Sequence, residues 1–334
     1  MNKTTTARMM RALVGGVAAD WQVREVEVPK PGRGQLLVRV RAAGLNRADM
    51  YMLEGAYSPN TKRGNVYTAG FELAGEVESV GSEVEDFAVG DRVMGSTLGA
   101  FAPYALLDYR HAIAVPGSLG WSEAAALPVG LSTEHDALVT QGGFQAGDRV
   151  LVVGATSSIG LLAIQLAKAL GAGLVLATTT SEQKQRRLTT AGADIVINTR
   201  TERLAERVTE ATGGSGVDIV LDHVGGQLFA ELLSATRIGG MIVNIGRLGG
   251  PQCTINLDQL SFRRLRVRGT TFSVRTPEER AEVCAALAPD VLPAVADGRI
   301  QAMIDRVVPF DGAQSAAECM RANEAAGKIV LELP

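Results

Sequence analysis

Leu151-Val152-Val153-Gly154-Ala155-Thr156-Ser157-Ser158-Ile159-Gly160 is the stretch that decides the fold, together with the apolar positions 159, 162, 163, 166 and 170 that follow. The aliphatic run reads as a strand buried on both faces, the small residues as a tight turn, and the later spacing as a helix. Ala155, Ser157 and Gly160 spell an A-x-S-x-x-G turn. Small side chains there let a pyrophosphate approach the backbone, and the free N–H groups at the helix start present the positive end of its dipole. Gly154, Ala155, Thr156, Ser157, Ser158, Ile159 and Gly160 are therefore candidate cofactor-binding residues. A plain parallel-sheet turn uses similar residues, so the neighbouring sequence has to arbitrate.

Toward the C-terminus the same rhythm recurs, with strands expected over 174–177, 194–197, 217–222, 240–246 and 265–269 and helical segments between them. Six short strands in this alternation predict a doubly wound parallel sheet of the α/β class, whose ligands lie beyond the carboxyl ends of the strands. That rule selects residues 154–160, 178–181, 222–226 and 244–246 as the rim. At the end of the second strand an NAD site places Asp or Glu on the ribose 2′-hydroxyl. This chain has Thr178-Thr179-Thr180-Ser181, then Glu182 and Lys184. Hydroxyls beside a cation suit a 2′-phosphate, which predicts NADPH, although Glu182 leaves NADH open.

Toward the N-terminus, residues 11–115 are short alternating runs cut by Gly and Pro, as in 36–42, where Val38, Val40 and Ala42 share a face opposite Arg39 and Arg41. This predicts a mainly β, partly open antiparallel barrel. Residues 304–308 and 327–331 return to that style, so the parallel-sheet domain is expected as an insertion. The boundaries expected are 1–131 with 274–334 for a catalytic domain and 132–273 for a cofactor domain. Further helices are expected from a cap at Asn46 to about Leu53, from a cap at Ser132 or Thr133, and over 277–287 and 291–296.

A net charge of −3 and scattered basic residues speak against a nucleic-acid surface. Cys253, Cys284 and Cys319 are isolated, which supports neither a disulfide framework nor a zinc lobe and fits a reducing, cytoplasmic compartment. Residues 1–10 are polar and lack the apolar core of a signal peptide, and no segment is apolar enough for a membrane partner.

These features, in order, resemble the medium-chain dehydrogenase/reductase superfamily, in its zinc-independent quinone oxidoreductase and enoyl reductase branch. The resemblance rests on residues 43–49, 70–75 and 90–93, on Ala126-Leu127-Pro128, and on Thr133 with Ala137-Leu138. It continues through 154–160, Asp222 with Val224-Gly225-Gly226, and Gly327-Lys328-Ile329-Val330-Leu331. It implies a GroES-like catalytic domain, a homodimer, and hydride transfer from NADPH to a quinone, enone or enoyl thioester. In the zinc-dependent branch a cysteine would stand at Asn46 and a histidine at Phe71, so no metal is expected here. The resemblance makes Tyr57, Tyr51 and Asn46 catalytic candidates, with Tyr57 holding or protonating an enolate oxygen. It sets Thr133 against the nicotinamide and Lys184 near the 2′-phosphate, with Arg200 as a further phosphate contact, while the strand-end rule supplies Thr179, Ser181, Val224, Asn244 and Gly246 as cofactor residues. Glu134 and His135 depart from the family pattern, and His111, His135 and His223 are expected to be packing or rim residues. Alternatives are an enoyl thioester reductase and a non-catalytic NADPH-binding structural or regulatory protein.

Overall fold

The computed structural model describes residues 7–59 and 64–334; of the polar lead-in, residues 1–6 lie outside the described residues. The chain opens with β1 (Met9–Gly15), β2 (Gln22–Glu27), β3 (Gln35–Leu45), α1 (Arg47–Glu54), β4 (Tyr67–Thr68) and β5 (Glu72–Val80). Next come β6 (Arg92–Ser96), β7 (Tyr104–Asp108), β8 (Ala112–Ala114), α2 (Trp121–Ala125) and α3 (Pro128–His135). The alternating half follows: β9 (Arg149–Val153), α4 (Ser158–Ala169), β10 (Leu174–Thr179), α5 (Gln185–Thr190), β11 (Ile195–Asn198), α6 (Leu204–Ala211) and β12 (Val217–Asp222). It closes with α7 (Leu228–Ala235), β13 (Thr236–Asn244), α8 (Leu257–Phe262) and β14 (Arg266–Gly269). The last elements are α9 (Pro277–Ala296), β15 (Ile304–Pro309), α10 (Ala313–Arg321) and β16 (Lys328–Glu332).

Two compact units result: residues 1–129, 273–285 and 304–334 form the first, and residues 130–272 and 286–303 the second. In the first, a sheet in the order β15-β16-β3-β5-β6-β8, with β7 also on β3, sits beside the small sheet β2-β1-β4. The pairings are antiparallel except that of β15 with β16, and neither sheet closes on itself. β3 shows why. Leu36, Val38 and Val40 have no exposure and feed the core, while Arg39 and Arg41 face outward and pair with Glu78 and Glu76 on β5 at 2.8 and 2.7 Å. This is the period-two alternation of a half-buried strand.

In the second unit the parallel order is β11-β10-β9-β12-β13-β14, the doubly wound dinucleotide-binding arrangement. Leu151, Val153, Leu176, Ile197, Val220 and Ile242 fill one core cluster under it, as expected of strands covered on both faces. The order reverses between β9 and β12, which pair Asp222 with Val153, so the crevice for a ligand opens beyond those two strand ends.

Two helix expectations are corrected. The helix expected to be capped at Ser132 or Thr133 starts at Pro128 and continues as a π-helical turn over Asp136–Gln141. Proline at the first helical position lacks an N–H that would be unpaired anyway, so Pro128 opens this helix ahead of the expected cap. Residues 277–287 and 291–296 form one helix, with Pro289 and Pro293 inside it. Pro289 cannot donate to the carbonyl four residues back, and the two compact units divide beside that carbonyl, between Ala285 and Ala286. The segment after the division is bound to the second unit through Gln165, whose amide donates to the Gln301 carbonyl at 3.1 Å and accepts the Gln301 N–H at 2.9 Å.

Candidate functional site

The nucleotide turn is built from its backbone outward. Gly154 leaves β9 with φ +73°, where a side chain would be strained, and a Cβ on it would lie 2.8 Å from Val224 Cγ2. Its N–H donates to the Thr178 hydroxyl at 2.9 Å, and the Ala155 N–H donates to the Thr178 carbonyl at 3.1 Å. Thr178 therefore locks the turn to β10, a role the sequence reading did not give it. Ser157 is the N-cap of α4: its Oγ accepts the Gly160 N–H at 3.1 Å and donates to the Gly154 carbonyl at 3.1 Å. Ser158 and Ile159, the first residues of this twelve-residue helix, have N–H groups with no intrahelical acceptor. A Cβ on Gly160 would come within 2.6 Å of Ala155 Cα, so helix and turn meet without side chains between them. A turn pressed against a helix start whose first N–H groups have no partner within the helix fits a pyrophosphate.

The other rim candidates lie on loops joined to this turn. Thr179 is buried, and its hydroxyl accepts the Ser181 N–H at 3.0 Å, holding Ser181 where β10 ends. No carboxylate stands at the end of β10; Glu182 is exposed in the next turn and Lys184 is half-buried. The Thr199 N–H donates to the Thr179 carbonyl at 2.9 Å, which brings Arg200 to the same edge. Asp222 is buried and organises the remaining loops: it accepts N–H groups of Val224 and Gly225 at 2.9 Å and the Asn244 amide at 2.9 Å. Asn244 also donates to the Gly246 carbonyl at 3.0 Å. Thr133, half-buried on α3, precedes Glu134, which bonds His223 at 2.8 Å at the end of β12. These candidates share the carboxyl rim of one sheet.

Asn46, Tyr51 and Tyr57 lie in the first unit. Asn46 is the N-cap residue of α1, as expected, yet its side chain serves elsewhere. Its amide donates to Glu72 at 2.8 Å, and its oxygen accepts from Lys328 at 2.8 Å. The helix end is satisfied instead by Asp49, whose carboxylate accepts the Asn46 N–H at 2.8 Å. Lys328 and Glu72, 2% and 0% exposed, form an ion pair, and Glu72 also accepts the Val129 N–H at 2.9 Å. Both residues stand in quoted motifs, but no local pattern says that they meet across 256 positions. Gly44 belongs to the same knot: a Cβ there would run into the Glu72 carboxylate and lie 2.6 Å from the Ala125 carbonyl. Burial pushes the Asp49 carboxyl up to about 8, mainly by desolvation, which favours its neutral form.

Tyr51 is half-exposed on α1. Tyr57 follows the left-handed Gly55 and stacks on Phe71, with centroids 4.6 Å apart and rings tilted by 32°. Burial raises the pKa of its hydroxyl, the Arg280 charge opposes the shift and Asp49 adds to it. Tyr57 is thus a neutral donor at physiological pH. Of the histidines, His111 donates from Nε2 to the Pro277 carbonyl at 2.8 Å, and His135 faces Asp290 at 2.8 Å. Among the described residues no three His, Cys, Asp or Glu side chains gather as a metal-holding group.

Two families match the chain: one described as alcohol dehydrogenase GroES-like domain over residues 32–117, and one described as zinc-binding dehydrogenase over residues 158–288. The quinone oxidoreductase of Lama guanicoe is 31% identical over 98% of this chain and 99% of its own length. Erythronolide synthase of Saccharopolyspora erythraea is 37% identical over 73% of this chain, a stretch that is 7% of that protein. A mycobacterial protein solved in complex with NADPH superposes with a TM-score of 0.85 at 27% identity, covering 97% of this chain and 100% of that one. No helix of the described residues is long and apolar enough to cross a membrane. The chain is an oxidoreductase that belongs to the medium-chain dehydrogenase/reductase superfamily, in its quinone oxidoreductase branch.

Proposed function

We propose that this chain is an NADPH-dependent, metal-free reductase acting on the activated double bond of a quinone or an α,β-unsaturated carbonyl. The observation that carries the reading is the environment of Tyr57. Its hydroxyl is a neutral donor, and Phe71 and Asn46 stand where a zinc enzyme of this superfamily would need ligands. Bound NADPH would supply the hydride. The turn at Gly154, Ala155, Thr156, Ser157, Ser158, Ile159 and Gly160 would hold its pyrophosphate, and Thr179, Ser181, Lys184 and Arg200 its 2′-phosphate. Thr133, Val224, Asn244 and Gly246 would border the nicotinamide. Tyr57 donates to the acceptor oxygen on which negative charge grows, and the Phe71 ring holds Tyr57 in place. Tyr51 remains available on α1 to orient the acceptor. Asn46 is held by Glu72 and Lys328 and serves by fixing α1. A conjugated acceptor delocalises the charge that a simple carbonyl would leave for a metal to stabilise.

The test is oxidation of NADPH against NADH, with chelator present, across quinones, short enones and an enoyl thioester. Faster turnover with NADPH is expected, and Tyr57→Phe should lower kcat about 10²–10³-fold while leaving the NADPH Kd unchanged. NADPH binding without turnover of any acceptor would leave only a structural or regulatory role. The second reading, an enoyl thioester acceptor, draws on Tyr57 alone and is decided by the same panel.

A second copy of the chain is the partner we propose. β14 is an edge strand whose residues are all exposed, with Val267 at 45% and the neighbouring Phe262 at 78%. Its Arg266 and Arg268 flank Val267, so the edge mixes basic and apolar residues, and its unpaired N–H and C=O groups are a template for another strand. Sedimentation should give a dimer, and Phe262→Asp with Val267→Asp a folded monomer. A monomeric wild-type chain would refute the pairing.

A further inference from the structure

α3 ends in Glu134 and His135, the π-helical turn begins with Asp136, and all three side chains are buried at 1% exposure or less. Each reaches a different element. Asp136 accepts from the Thr270 hydroxyl just past β14 at 2.6 Å, and His135 meets Asp290 of α9 at 2.8 Å. Glu134 Oε1 lies 2.8 Å from His223 Nε2, and His223 Nδ1 lies 2.8 Å from the Val153 carbonyl. A carbonyl only accepts, so Nδ1 carries a hydrogen, and the Glu134 contact must hold a second proton at Nε2 or on the carboxyl. Burial works against an imidazolium here, but Glu134, the Val153 carbonyl and Asp222 outweigh it and raise the His223 pKa.

His223 also sits where three rim loops meet. Its own N–H donates to the Val153 carbonyl at 3.3 Å, so the last residue of β9 is clamped by both its backbone and its ring. A Cβ on Gly154 would lie 3.5 Å from His223 Cβ, and one on Gly246 would strike the His223 carbonyl. In a doubly wound sheet the half built on the fourth and fifth strands, here β12 and β13, takes the second mononucleotide. We propose that Glu134 and His223 are a positioning pair for the nicotinamide half of the nucleotide site, holding α3 and the loops after β9, β12 and β13 in one arrangement. The inference rests on the nucleotide-binding reading given above.

The experiment compares two ligands by calorimetry on the full chain: NADPH, and 2′-phospho-ADP-ribose, which lacks the nicotinamide. Glu134→Ala should weaken NADPH about tenfold and 2′-phospho-ADP-ribose by less than about twofold. Glu134→Gln should restore NADPH binding, because its amide donates to a neutral Nε2. If Glu134→Ala does not fold, the double variant Glu134→Ala with His223→Ala carries the same comparison, since removing both partners leaves no buried charge unpaired. Equal weakening of both ligands, or of neither, would overturn the positioning role. A wild-type chain that binds neither ligand would overturn the nucleotide reading itself.

Discussion

Lys328→Met is expected to cost the first unit about 3–5 kcal/mol of stability, the loss typical when one partner of a buried ion pair is removed. Methionine fills a similar volume, so the loss reports charge and not a cavity. Glu72 has no exposure and would keep only the Asn46 amide and the Val129 N–H, and Asn46 would lose its donor. Removing both charges, with Glu72→Gln beside Lys328→Met, should recover most of the loss, because a buried pair replaced as a whole is often close to neutral. Urea unfolding followed by probes in each unit would separate the two transitions. A single-variant loss below about 1 kcal/mol would mean that water reaches Glu72 and that the pair behaves as a surface one.

This knot marks where sequence reasoning stops. The β9–turn–α4 segment was legible because its signals are local: a strand run, small turn residues and a helix period within twenty positions. The barrel-like half was legible for the same reason, strand by strand. Asn46 was placed correctly at the start of α1, but its side chain answers to residues 72 and 328, which no periodicity joins to it. The partners Glu134 and His223 are 89 positions apart, and the sequence could flag Glu134 only as a departure from a family pattern and His223 only as a packing or rim residue. Proline misled twice. Pro128 opens the helix expected to be capped at Ser132 or Thr133, and Pro289 with Pro293 is carried inside α9 where two helices are expected. In both cases the neighbouring fold decides whether the missing N–H is a loss.

Gly160→Ala is expected to weaken NADPH binding about 100-fold or more, the equivalent of about 2.7 kcal/mol. The added methyl would lie 2.6 Å from Ala155 Cα and 2.9 Å from both its carbonyl carbon and oxygen, all backbone that cannot swing aside. Ala155 has no exposure, so α4 and the turn have to separate, and the amides at Ser158 and Ile159 move with them. Helix propensity acts in the opposite direction, since alanine inside a helix is favoured over glycine by about 1 kcal/mol. Lost affinity therefore reports the closeness of turn and helix and not a weaker helix. Gly117→Ala is the control, because a Cβ there meets nothing within 4 Å and NADPH affinity should stay unchanged. Calorimetric titration of both variants decides the matter: if Gly160→Ala binds NADPH as the wild type does, the pyrophosphate does not lie on this turn.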